Sequence, residues 1–419
     1  MRTNAQSALQ RWGMWCATHA RWVVLGWGVV LTAAALLLPR FAESLSGSSI
    51  AVSGSESART EQLLEQEFDR GVTEDAIIVI ASERLTMRDS EFQRAISEAA
   101  QAADDDPGVT SISDPWDAPS GEQVSEDGRT AQVLVGLTGD ERERQELAPR
   151  LQTALDAVQV DDVTASLTGS SALNAAVVEQ QDSDIARAES IGLPIALVVL
   201  LVAFGTLVAA GLPLLLGVLT LVTAFGALGA LSFVTSFDVF VQAVVTMLGL
   251  ALGIDYCLFV VTRFREELAR VGPSNIPEAV GRTLATAGNA VLFSGSTVLI
   301  SVSGLFLVQA PVFRSMSLGV MVAVAIMLAL STTLLPALLG VLGRRIDSLK
   351  VPGLARSRAP VDIEKSWWAR WTRAVLRRPV VIGGATGAAL ILAAVPALGL
   401  KLGFDVGADA VSESPAGAG

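Results

Sequence analysis

Hydrophobic residues in this chain gather into long runs. Seven of them, 22–39, 191–211, 212–234, 239–262, 289–308, 316–342 and 380–400, come close to or exceed the roughly 20 apolar residues a helix needs to cross a bilayer core. Pro194, Pro213, Pro311 and Pro336 lie at or near run ends, and Gly, Ser and Thr recur inside the runs. Both habits suit helices packed against one another in a membrane. The pattern predicts a polytopic α-helical membrane protein with its spans at 22–39 and 380–400 and a bundle of five over 191–342.

The period changes between the first two runs. Within the polar stretch 41–188, the segment 76–81 (AIIVIA) reads as a strand, and 87–103 places Phe92, Ile96, Ala99 and Ala103 at helical spacing. A short strand at 109–112 is followed by a loop holding Pro115, Pro119, Gly121 and Gly128. A strand at 131–137, a helix at 141–158 with an acidic first turn, and a strand at 162–167 complete the set. The order strand, helix, strand, strand, helix, strand is the split βαβ arrangement of ferredoxin-like α+β domains. A further acidic helix over 171–189 leads into the second run.

Charge orients this picture. The stretch 41–188 carries about 30 Asp and Glu against about 10 Arg, so the net charge of −12 is mostly its own. Arg2, Arg11 and Arg21 precede the first run, Arg263, Arg265, Arg270 and Arg282 occupy the connection 263–288, and about ten basic residues fill 343–379. By the positive-inside rule residues 1–21 and these connections are cytoplasmic, and 41–188 is extracytoplasmic. The first run, with its long basic leader and no small-residue cleavage site, reads as an uncleaved anchor.

With 51% hydrophobic and 17% charged residues in 419, an ordinary soluble enzyme is excluded, and the negative charge disfavours nucleic acid. Two cysteines and one histidine leave no Cys/His metal site, and Cys16, Cys257 and His19 read as structural. No phosphate-binding G-x-x-x-x-G-K-[ST] loop is present, so neither a nucleotide nor another cofactor is expected. The outer carboxylates read as a solvated face without hydrolytic spacing, so no enzyme activity is expected. Arginine far outnumbers lysine, which occurs only at Lys350, Lys365 and Lys401, as in a bacterium with a GC-rich genome.

One residue breaks the membrane pattern. Asp255 lies inside the fourth run, where a carboxylate costs about 2.5–3.5 kcal/mol on insertion scales. Roughly 12 Å of helix separates it from Arg263, too far for a short side chain to reach the interface. A carboxyl there can be neutral or charged according to local hydration, as a proton relay requires. Tyr256, the only tyrosine, supplies a neighbouring hydroxyl, and Gly249 and Gly253 flatten one helix side for close packing. Asp238, at the outer end of the run, is expected to be solvated.

The stretch 249–268 (GLALGIDYCLFVVTRFREEL) resembles the fourth membrane helix of the MmpL family in the resistance-nodulation-division (RND) superfamily. The segments 188–194 and 204–213 resemble its second and third spans, 285–297 its fifth and 334–340 the end of its sixth. The resemblance implies export of lipids or amphiphilic drugs and metabolites, driven by the proton gradient, with Asp255 and Tyr256 as relay residues and Ser294 as a possible relay neighbour. A helper of protein export resembling SecDF, or a nontransporting scaffold whose outer domain binds a partner, are the alternatives.

RND transporters are tandem repeats, and this chain shows where a second repeat opens. Arg21-Trp-Val-Val-Leu-Gly26 is echoed by Arg378-Pro-Val-Val-Ile-Gly383, and Trp12 and Trp15 by Trp368 and Trp371. Residues 401–419 read as the start of a second outer domain. The family's relay uses a second Asp-Tyr pair on a tenth span, so the expectation is a fragment, or a half that works with a second half-transporter or as a homo-oligomer.

Overall fold

In the computed structural model the described residues are 2–46, 56, 74–116, 123–139, 141–158, 160–235, 237–272, 275–308, 310–351, 367–399 and 414–415. The loop around Pro119 and Gly121 and nearly all of 401–419 lie outside them. The chain forms two compact units, Met1–Lys350 with Gly407–Gly419, and Val351–Val406.

The first unit opens with helix α1 (Arg2–Thr18) and the first span, α2 (Ala20–Glu43), which continues into strand β1 (Leu45–Ser46). The α+β domain then runs β2 (Glu74–Ser82), α3 (Ser90–Asp104), β3 (Val109–Ser113), β4 (Thr130–Leu137), α4 (Glu141–Asp156) and β5 (Val163–Thr168). Its sheet has the order β3-β4-β2-β5 with every pair antiparallel, so the two helical crossovers each skip one strand. This is the split βαβ sheet expected from the alternating pattern. Ala76, Ile78 and Ile80 of β2 and Ala131, Val133, Val135 and Leu137 of β4 point to one face, where they pack with Phe92, Ile96 and Ala99 of α3 and Leu147 and Leu151 of α4. Two edges differ from expectation. Helix α3 starts at Ser90 rather than 87 because the Asp89 carboxylate accepts the Thr86 N–H and hydroxyl, both at 2.9 Å, which holds the chain in a turn. Strand β5 starts one residue late because Asp162 has φ +61°, outside the extended region.

Helix α5 (Ser170–Phe204) leaves the domain without a break and becomes the second span. After it come α6 (Leu207–Leu231), the two-residue strand β6 (Phe237–Asp238), α7 (Phe240–Val271) and α8 (Ile276–Thr283). A π-helical turn (Leu284–Gly288) joins α8 to α9 (Asn289–Ser303), making the fifth span. The sixth comprises α10 (Pro311–Thr332) and α11 (Leu334–Leu342). The break between the second and third spans falls at Gly205, not at the 211/212 division expected before Pro213. Gly205 has φ +72°, a left-handed cap that glycine takes without strain, and Pro213 is accommodated inside α6. The third, fourth and sixth spans bury 50%, 44% and 56% of their apolar windows, against 6%, 6% and 11% for the first, second and fifth, so the former three form the core of this unit.

Asp238 corrects a further expectation. It is buried, its strand pairs in parallel with β1, and its carboxylate accepts the Phe240 N–H at 3.0 Å. Burial is tolerable because the charge is hydrogen-bonded at the start of α7. Cys16 and Cys257 are both buried free thiols, and burial pushes Cys16 up to about 11, so it stays protonated near neutrality.

The second unit holds α12 (Trp367–Arg377) and α13 (Pro379–Ala394), the seventh helix long and apolar enough to cross a membrane. Helical spacing puts Trp371 and Val375 on one side of α12 and Arg370, Arg373 and Arg377 on the other.

Candidate functional site

The site is built on α7, whose 32 residues present three kinds of surface. Gly249 and Gly253 face α6: an added Cβ at Gly253 would stand 2.7 Å from the Gly217 Cα, and one at Gly249 would stand 2.8 Å from Leu221. The backbones of the third and fourth spans thus approach closely, because neither helix carries a side chain at the crossing. Tyr256, Cys257, Val260 and Val261 are buried in the bundle core. Met247, Ala251, Asp255, Phe259 and Thr262 fall three or four residues apart on a third side, which is exposed within this chain.

Asp255 is the sixteenth residue of α7, so roughly 22–24 Å of helix extends to either end. It is also the one charged residue in the seven apolar runs. Among the described residues it has no hydrogen bond or ion pair, whereas the cations further along the helix are all engaged. Arg263 pairs with Glu266 at 2.8 Å and Glu267 at 2.7 Å, Arg270 with Glu267 at 3.1 Å, and Arg265 with Asp347 at 2.6 Å. Arg265 also donates to the Phe204 carbonyl at 3.1 Å, and the Thr206 hydroxyl donates to Ile346 at 3.1 Å. The ends of the second, fourth and sixth spans are therefore tied together on the side of Gly205.

One residue further on, a 100° turn carries Tyr256 away from the Asp255 face. Its hydroxyl lies 3.3 Å from that of Ser294 on α9, while Arg263 Nε donates to Thr286 at 3.2 Å. The structure brings Tyr256 and Ser294 together and leaves Asp255 on a neighbouring open side. Three polar contacts had no local signal: Arg265 with Asp347, and the indoles of Trp12 and Trp27 with Thr332 and Thr333. Among the described residues no group of three His, Cys, Asp or Glu could hold a metal.

A split-βαβ domain inserted after the first span, followed by five further apolar helices, one with a carboxylate at its centre, defines a multi-pass membrane protein. The model of the MMPL family matches residues 49–382, and the chain belongs to that family. It is 35% identical to the "Heme uptake protein MmpL11" of Mycobacterium tuberculosis over 92% of this chain and 40% of that protein. The "Mycolic acid-containing lipids exporter MmpL11" of Mycolicibacterium smegmatis is 35% identical over 91% of this chain and 40% of that protein. The "Trehalose monomycolate exporter MmpL3" of Mycobacterium tuberculosis is 32% identical over 65% and 31%. A crystal structure of SecDF in its super-membrane-facing form aligns with TM-score 0.42 at 16% identity, over 78% of this chain and 38% of that one. The chain spans about two fifths of the length of the MmpL11 relatives it matches.

Proposed function

We propose that this chain forms the first repeat of a proton-driven exporter of lipids or other amphiphiles. The observation that carries the reading is Asp255, a carboxylate central in the fourth span with no partner among the described residues. An ionised carboxylate in that setting is costly, so its charge state is coupled to whatever hydrates or faces it. Tyr256 and Ser294 supply hydroxyls through which a proton can pass on one side. The open side of α7 is where a second half-transporter, or a second copy, presents the groups that complete the relay. The acidic α+β domain stands outside the cytoplasmic membrane, following the basic connections, and offers the amphiphile its path away from the bilayer. Two of the relatives are named as lipid exporters and one as a heme uptake protein, so a mycolate-type lipid and heme are the two cargoes to compare.

The test is Asp255→Asn in cells expressing the working assembly, with cargo movement followed as the proton gradient is imposed or collapsed. The expected result is gradient-dependent movement reduced to background, with membrane insertion and amount unchanged. Undiminished gradient-dependent movement in that variant overturns the relay.

A further inference from the structure

The sixth span is interrupted between α10 and α11 at Thr333, whose φ −124° and ψ −67° leave the helical region. The cause lies three residues on. In a continuous helix the N–H of residue 336 would bond the carbonyl of residue 332, but Pro336 has no N–H. The Thr332 carbonyl is not left orphaned, since the indole N–H of Trp12 donates to it at 3.0 Å from α1. A second indole, Trp27 on α2, donates to the Thr333 hydroxyl at 2.9 Å, and that hydroxyl donates to the Ala329 carbonyl at 2.5 Å. Both halves join the core around Tyr256 and Val260, but their close glycine contacts differ. In α10, Gly319 seats Val241 and Val245 of α7, the relay helix, while in α11 Gly340 seats Ala17 of α1. Beside the break lies an open groove of about 330 Å³ lined by Trp12, Trp15, Cys16, Val23, Trp27 and Thr333.

We propose that Trp12 is a positioning residue that replaces the backbone donor missing at Pro336, and that with Trp27 it latches a hinge in the sixth span. The N-terminal helix and first span thereby set the angle between the part of the sixth span that packs on α7 and the part that packs on α1. A hinge without the latch would expose one carbonyl and let α11 move independently of α10. This inference goes beyond the export reading and does not depend on it.

The test is amide hydrogen exchange of the full chain in lipid nanodiscs, comparing residues 329–340 among four forms: wild type, Trp12→Phe, Pro336→Ala and the double variant. Trp12→Phe keeps an aromatic ring, though a smaller one, and deletes the donor, so exchange in 329–340 should rise roughly fivefold, the scale of one lost hydrogen bond. Pro336→Ala restores a backbone donor to the Thr332 carbonyl, so adding Trp12→Phe to it should change nothing. The segment Ser90–Asp104 should exchange alike in all four. Unaltered exchange in Trp12→Phe overturns the latch, as does a rise of equal size with alanine at 336, since either result assigns Trp12 to packing alone. If Trp12→Phe loosens the whole bundle, the comparison within the Pro336→Ala pair still decides, because only a donor role makes it silent there.

Discussion

At the scale of single residues, what the sequence reveals depends on whether a residue's anomaly is local. Asp255 is conspicuous because a charge in an apolar run needs no structural context to be costly. Tyr256 is equally visible, but its hydroxyl meets Ser294, 38 positions away and on another helix, so only the fold discloses the pairing. Asp238 misleads for the same reason: the strand that buries it, Leu45–Ser46, is nearly 200 residues earlier. The glycine pair on α7 gives a direct test of close packing. A methyl at Gly253 would meet Gly217 backbone, which cannot rotate aside, so Gly253→Ala should force the third and fourth spans apart at a cost of about 1–3 kcal/mol. Gly192→Ala, where an added Cβ meets nothing within 4 Å, should be neutral or slightly stabilising. Reversible unfolding in mixed micelles measures both, and equal stability of the two variants would refute close packing as the role of Gly253.

At the scale of elements, period carries far and boundaries carry poorly. The βαββαβ order is legible because alternating and helical patterns switch cleanly, while the start of α3 and of β5 are set by a side-chain turn at Asp89 and a left-handed Asp162. The Gly205 break escapes because 191–234 is one apolar continuum, in which proline draws attention and glycine does not. The turns of the α+β domain also give it a pH dependence. Thr86 N–H and hydroxyl groups hold the Asp89 carboxyl below the usual range, and the Ser125 hydroxyl and Arg129 N–H do the same for Asp127. For a depressed group the stabilisation is complete above the unfolded value, about 3.9, and disappears as pH falls through the lower folded value. The domain should therefore melt at lower temperature near pH 3 than near pH 6, and Asp89→Ala with Asp127→Ala should reduce that difference. Circular dichroism melts of the full chain at the two pH values check it. A difference that persists at full size in the double variant assigns the acid sensitivity to other carboxyls.

At the scale of the whole molecule, the sequence announces a membrane protein with one inserted domain, but not which faces of its spans are covered. The structure separates these. Within this chain the third, fourth and sixth spans cover one another, while the α7 side bearing Met247, Ala251, Asp255 and Phe259 is open. Periodicity cannot show this, because side chains facing lipid and side chains facing another helix are equally apolar. If that side is covered in the working assembly by a second half or a second copy, bulk there should damage transport without damaging this chain. Ala251, one turn before Asp255 and exposed, is the place to add it. Ala251→Trp should leave the melting temperature of the isolated chain within a degree or two, since the indole meets no packed neighbour. In the assembly the same indole would hold two helices apart, and transport should fall by at least about tenfold, the factor that roughly 1.4 kcal/mol of misfit produces. Gly253→Ala, two residues away on the α6 side, should show the converse ordering, with stability of the isolated chain lost first. Normal transport by Ala251→Trp would mean that this side of the fourth span faces lipid, and that Asp255 answers to water rather than to a partner helix.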